Sequence, residues 1–124
     1  MIKPPSKKIL SIPALTKKAQ TVFNAWIRKR DKEKGCISCG SQVTEAGHYL
    51  SAGHHSALRF NEINVNGQCT RCNRFLHSNA VWYRKGLVKR YGEEKVLELE
   101  NSVSIRSVSK YSRFELEAII KLYK

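Results

Sequence analysis

Negative charge is scarce in this chain: 10 Asp and Glu stand against 23 Lys and Arg in 124 residues, a formal net charge of +13. An excess of that size on so short a chain creates a field that attracts polyanions. Nucleic acid is therefore the first partner class to consider, ahead of an anionic membrane or a merely solubilising surface. Also missing is any apolar run long enough to cross a bilayer, so a soluble protein with no membrane partner is expected. The start Met1-Ile-Lys-Pro-Pro-Ser-Lys-Lys lacks the apolar stretch of a secretory leader, which argues against a disulfide-stapled extracellular scaffold. No low-complexity tract is present, and no internal repeat beyond two short cysteine turns. With 41% apolar residues the chain reads as one domain with a small core, to which a structural metal would contribute folding energy.

Residues 1–13 mix Lys3, Lys7 and Lys8 with Pro4, Pro5 and Pro13, which predicts a basic, flexible arm ahead of a single domain over 14–124. From about Ala14 to Lys32, Leu15, Ala19, Val22, Phe23, Trp26 and Ile27 recur at three- and four-residue steps, the pattern of one buried helix face. Arg28, Lys29 and Arg30 suit the negative end of that helix, and Gly35 stops it. The segment from Gly35 to Cys72 reads as loops and a short hairpin, with β-prone pieces at Val43-Thr44 and Ile63-Asn64-Val65. Helices are expected over Ala80 to Tyr91, with Gly92 as terminator, and over Glu93 to Glu100. A last one opens with the capping box Ser112-x-x-Glu115.

Four cysteines occur, as Cys36-x-x-Cys39 and Cys69-x-x-Cys72. Two such turns are the spacing of a tetrahedral zinc site, in which each supplies two thiolates to one ion. A redox dithiol would need only one pair, and two disulfides would suit a secreted chain. A four-thiolate zinc has no open position, so any reaction must come from residues that it positions. Between and after the pairs lie His48, His54, His55, Asn61, Asn64, Asn73 and His77. A helix starting near Asn73 would set Asn73 and His77 on one face, able to meet one cation or phosphate. A histidine that deprotonates water, beside a divalent cation held by N or O ligands, is what phosphodiester hydrolysis needs. Each has a plainer reading too: His48 as a loop histidine or a zinc ligand, Asn64 as a brace between backbone groups, Asn73 as a helix cap.

The order His48, Asn64, Asn73 around the second cysteine pair resembles the HNH or ββα-metal nucleases, in the variant whose third member is Asn. A closer resemblance covers most of the chain. The words Ala19 to Asp31 (AQTVFNAWIRKRD), Cys36-Ile-Ser-Cys-Gly, Ala46-Gly-His-Tyr, Leu58-Arg-Phe-Asn-Glu, Asn66-Gly-Gln-Cys, Cys72-Asn73 and Tyr83-Arg-Lys-Gly-Leu are similar to the NinG (Rap) recombination endonucleases of lambdoid phages.

That resemblance implies a metal-dependent endonuclease acting on branched DNA, such as D-loops and Holliday junctions, in the host bacterial cytoplasm. It implies His48 as general base, with Asn64 and Asn73 completing the catalytic set. The cofactors would be structural zinc on Cys36, Cys39, Cys69 and Cys72, and Mg²⁺ or Mn²⁺ on Asn73 with His55 and His77. Arg59, Arg71, Arg74, Arg84 and Lys85 flank the site and are the expected DNA contacts. Two departures stand out. Longer members carry a Cys-containing segment ahead of the first helix, where this chain has its basic arm. Many ββα-metal nucleases also place an acidic or His ligand just before the base, where this chain has Gly47, so His54, His55, Glu62 or His77 must complete the metal shell. The expected fold is α+β: a zinc-stapled, treble-clef-like ββα core with a long N-terminal helix and C-terminal helices. A resolvase of paired strands would favour a homodimer, although no heptad announces one. The alternative from another class is a non-catalytic zinc module that binds DNA or RNA.

Overall fold

The computed structural model describes residues 9–103 and 108–124, and the first eight residues of the expected basic arm lie outside them. Helix α1 spans Ile12–Asp31. It begins two residues before the expected Ala14 and takes in Pro13, because the first turn of a helix has no use for the missing proline N–H. Ser11 caps it, its Oγ accepting from Ala14 N at 3.2 Å. Leu15, Ala19, Phe23 and Ile27, four residues apart, are all buried, whereas Trp26 is only partly so.

Two strands, β1 (Glu45–His48) and β2 (Val65–Gln68), form an antiparallel pair with Glu45 opposite Gln68 and His48 opposite Val65. Helices α2 (Ala80–Tyr91), α3 (Glu93–Ser102) and α4 (Arg113–Tyr123) follow. The capping box expected of Ser112 and Glu115 is present at α4. The core has three parts. Leu15 and Ala19 of α1 pack on Leu116 of α4, Phe23 and Ile27 pack on Val65 of β2, and Ile37 packs on Tyr83, Leu87 and Val96. A fully buried side chain of the size of Leu116 contributes about 1.5–3 kcal/mol.

Asp31, at the end of α1, ties that helix to β2. Its carboxylate is fully buried and accepts from Arg30 Nε at 2.7 Å, Arg30 NH2 at 2.8 Å and Gly67 N at 2.7 Å. The Arg30 guanidinium continues to the carbonyls of Glu62 at 2.8 Å and Val65 at 3.0 Å. The strand beneath the candidate site is thus held by a charged clamp as well as by its pairing.

The chain after Cys72 departs from expectation. It does not run as one helix from Asn73 through His77: a π turn, Arg71–Phe75, is followed by His77, Ser78 and Asn79, all at positive φ (47°, 68° and 51°). Left-handed backbone costs a non-glycine residue about 1 kcal/mol. Long-range bonds offset it here. The Ser78 carbonyl accepts from Ser38 Oγ at 2.9 Å and Gln68 Nε2 at 2.7 Å, and Ser78 Oγ donates to the His48 carbonyl at 3.1 Å.

Candidate functional site

Cys36 and Cys39 sit on the turn after α1, Cys69 just past β2, and Cys72 in the π turn. Gly35 enters the first turn at φ +82°, and a Cβ there would lie 2.7 Å from the Gly40 carbonyl oxygen, so only glycine fits. The four sulfurs lie within 4.8 Å of one another, and all four thiols are free. Zinc–sulfur bonds of about 2.3 Å in a tetrahedron set sulfurs about 3.8 Å apart. The Cys39–Cys69 separation of 3.7 Å fits that, and is far too long for a disulfide. Asn79 Nδ2 donates to the Cys72 sulfur at 3.7 Å and Cys72 N to the Cys69 sulfur at 3.4 Å, but burial and the neighbouring sulfurs push the Cys72 thiol up to about 12. Burial raises the Cys69 thiol, but hydrogen bonds from Ser41 and Cys72 outweigh it and hold it at about 6.

His48 ends β1 and opens onto a surface cleft of about 400 Å³ that Ser51, Asn73 and His77 also line. Its Nε2 lies 3.0 Å from the Arg59 carbonyl. A carbonyl only accepts, so Nε2 carries the proton and Nδ1 keeps its lone pair. Among the described residues nothing bonds Nδ1. Burial, the largest effect, holds the imidazole below its usual 6.5; the carbonyl bond opposes this, and the Arg59 charge adds to it. His48 is therefore a neutral ring whose free nitrogen can take a proton.

The loop that supplies Arg59 is held by Asn64, which is fully buried. Its Oδ1 accepts from Leu50 N at 2.8 Å, and its Nδ2 donates to the carbonyls of Leu50 at 2.9 Å and Leu58 at 3.2 Å. Every hydrogen bond its side chain makes goes to backbone, so Asn64 positions the partner of His48.

Asn73 Nδ2 donates to Glu45 Oε1 at 2.8 Å. Burial pushes Glu45 up, but bonds from Asn73, Arg74 and Thr70 outweigh it and keep the carboxyl below its usual range, hence ionised and only accepting. The Asn73 amide cannot flip against it, so its Oδ1 faces Gly47. A Cβ on Gly47 would lie 2.7 Å from that Oδ1 and overlap Gln68 Oε1. Gln68, absent from the residues singled out by sequence, is fully buried and its Oε1 has no hydrogen-bond partner. Such an orphan costs about 1–3 kcal/mol. Two amide oxygens, one of them unmatched, thus converge where residue 47 has no side chain. Uncharged oxygen donors of this kind suit a hard divalent cation such as Mg²⁺ or Mn²⁺.

The other histidines and Glu62 do not share this arrangement equally. His77 lines the cleft, brought there by the left-handed turn rather than by a common helix face with Asn73. His54 is exposed, and His55 is half-buried with an unpartnered Nδ1; neither lines the cleft of His48. Glu62 accepts from Tyr123 Oη at 2.7 Å, which ties it to α4. Of the five cations named by sequence, Arg71, Arg74 and Lys85 are exposed, Lys85 lying 4.3 Å from the Trp82 ring centre. Arg59 donates to Gln20 Oε1 at 3.2 Å and Arg74 pairs with Glu45 at 2.8 Å. Arg84 departs most from a DNA-contact role: it pairs with Glu93 and Glu100, each at 2.8 Å, and joins α2 to α3.

A family model described as the bacteriophage Lambda NinG protein matches residues 5–124. Protein ninG of Escherichia phage lambda is 44% identical over 89 residues, which cover 69% of this chain and 44% of that protein. Protein ninG of Salmonella phage P22 is 42% identical over 88 residues, covering 68% and 43%. The chain spans less than half the length of the curated relatives it matches. No solved structure matches it. No helix among the described residues is long and apolar enough to cross a membrane.

Proposed function

We propose, from the premise that this chain belongs to the NinG family of lambdoid phage proteins, that it is a metal-dependent endonuclease of the ββα-metal type that hydrolyses phosphodiesters in branched DNA. The observation that carries the reading is the tautomer of His48, with Nε2–H held on the Arg59 carbonyl and Nδ1 free at a cleft shared with Asn73. A general base needs that pairing of a fixed ring and an available lone pair. The hairpin and the residues after it, taken with the four cysteines, support a treble-clef-like core in which zinc is structural.

In this mechanism water beside Nδ1 gives its proton to His48, which burial has kept neutral for the purpose. Asn64 holds the loop that aims the ring, and Glu45 turns the Asn73 oxygen toward Gly47, beside His48. Asn73 Oδ1 would hold a divalent cation, whose charge would polarise the scissile phosphate and stabilise the departing 3′ oxygen. The net charge of +13 favours the approach of DNA, with Arg71 and Lys85 the exposed cations nearest this reading.

The test is a nicking assay on labelled four-way junction, D-loop and plain duplex, with Mg²⁺ or Mn²⁺ and zinc-loaded protein. Cleavage of branched substrates above duplex supports the proposal. Binding of DNA or RNA without cleavage in any divalent cation would replace it with a zinc-stapled nucleic-acid-binding module.

A further inference from the structure

We propose that Gln68 is a ligand of the divalent cation, its Oε1 taking the coordination position that Gly47 leaves without a side chain. The inference rests on the nuclease reading and extends it to a residue that no motif names.

The orientation of Gln68 is determined by its other end. Nε2 donates to Ser38 Oγ at 2.9 Å and to the Ser78 carbonyl at 2.7 Å. The carbonyl can only accept, so the amide cannot turn over, and Oε1 must face Gly47. There it is buried and unmatched. A role as a strut between β2 and the Ser78 turn accounts for Nε2 and leaves Oε1 unexplained. A buried oxygen with no donor, next to a second amide oxygen turned the same way by Glu45, is what a cation would satisfy.

Gly47 is part of the same device. Any side chain at this position would displace Oε1 and crowd Asn73 Oδ1. A carboxylate ahead of His48 would have to displace Gln68, and the chain brings an amide across from the opposite strand instead. Two amide oxygens carry no net charge, so they hold Mg²⁺ or Mn²⁺ weakly until a phosphate adds negative charge. Cation and DNA should then strengthen each other's binding by the same factor.

The experiment titrates Mn²⁺ into the full zinc-loaded chain, with and without a phosphorothioate-blocked junction, and follows free Mn²⁺ by its electron paramagnetic resonance signal. Gln68→Met keeps volume and removes the oxygen; it should weaken Mn²⁺ binding at least about tenfold with zinc content unchanged. Unchanged affinity would overturn the assignment. Because Gln68→Met also removes the bond to Ser78 and could disturb the turn, a second measurement uses the wild type. Substoichiometric Mn²⁺ should broaden the side-chain amide signals of Gln68 and Asn73 before that of exposed Gln42. Broadening of Gln68 no earlier than Gln42 would also overturn it. If the wild type cuts junctions while both measurements fail, Gln68 is no ligand and the nuclease reading stands. If Mn²⁺ binds through Gln68 and no substrate is cut, the ligand assignment stands and the nuclease reading falls.

Discussion

Replacing His48 by Gln asks whether the free ring nitrogen matters or only the bond at its far side. A Gln amide can still donate to the Arg59 carbonyl, 3.0 Å from the native Nε2, so the loop over the cleft keeps its anchor while the proton acceptor disappears. A positioned general base contributes about 10²–10⁴ in rate, or about 2.7–5.5 kcal/mol of barrier. His48→Gln and His48→Ala should both fall by that factor in single-turnover cleavage of a labelled junction, with DNA affinity and zinc content nearly intact. The wild-type rate should also depend on pH with a set sign. Burial holds the imidazole below 6.5, so the acid limb should have its midpoint below that value and the rate should be level in this group above it. The same shift links to stability. The folded state binds this proton less readily than the unfolded chain, so the stability associated with His48 is full above 6.5 and declines as pH falls through the lower folded value. His48→Gln cleaving within about threefold of wild type, well short of the loss a base should cause, would refute the mechanism, as would an acid limb centred above 6.5.

Cys69→Ser should lose zinc and fold poorly, since metal binding at such centres is worth about 10–16 kcal/mol of folding energy; elemental analysis with circular dichroism checks this, and a zinc-free but equally stable variant would contradict it. Asp31→Ala should cost about 3–5 kcal/mol in urea unfolding, because it strands the Arg30 guanidinium and the Gly67 N–H. Burial opposes ionisation of Asp31, but bonds from Arg30 and Gly67 outweigh it and lower its pKa below 3.8. Its contribution is thus full above 3.8 and lost as pH falls through the lower folded value, a decline that Asp31→Ala should not show. Asn73→Ala should lose cleavage that higher Mg²⁺ or Mn²⁺ partly restores, whereas His48→Ala should not respond, because more metal does not replace a proton acceptor.

Helices whose burial follows local periodicity were legible in the sequence: Ala80 to Tyr91 has the expected bounds, and the Ser112 box starts α4. The cysteine cluster was legible because C-x-x-C spacing is itself a geometric statement. The turn at His77–Asn79 was not. None of its residues is glycine, and the left-handed backbone exists only because Ser38, Gln68 and His48 bond to Ser78 from 30 or more, or 10, residues away. Gln68 was hidden for a related reason. A glutamine in a strand, one residue before a cysteine, carries no ligand signal, and its burial depends on the bare backbone of Gly47 in the neighbouring strand. The sequence showed that a ligand was missing at Gly47, but what fills that space is a matter of strand pairing.

The two proposed metal centres are also built from one another. Gln68 and Asn73 flank the Cys69-x-x-Cys72 turn directly, so the thiolates that grip an ion on one side set the spacing of the two amide oxygens on the other. Ser38 lies inside the first cysteine turn, and its Oγ receives Gln68 Nε2. Asn79, whose amide donates to the Cys72 sulfur, closes the left-handed turn whose Ser78 carbonyl holds Gln68 in place. The first cysteine turn thus reaches Gln68 through Ser38, and the second is flanked by Gln68 and Asn73 themselves. A small chain with few buried apolar residues cannot rely on core packing to position such groups to within a fraction of an ångström. A closed four-thiolate centre can, because its bond lengths and angles are set by the ion. Loss of zinc should therefore displace both amide oxygens together, and a site assembled this way should lose its divalent-cation affinity as soon as the cysteine turns let go.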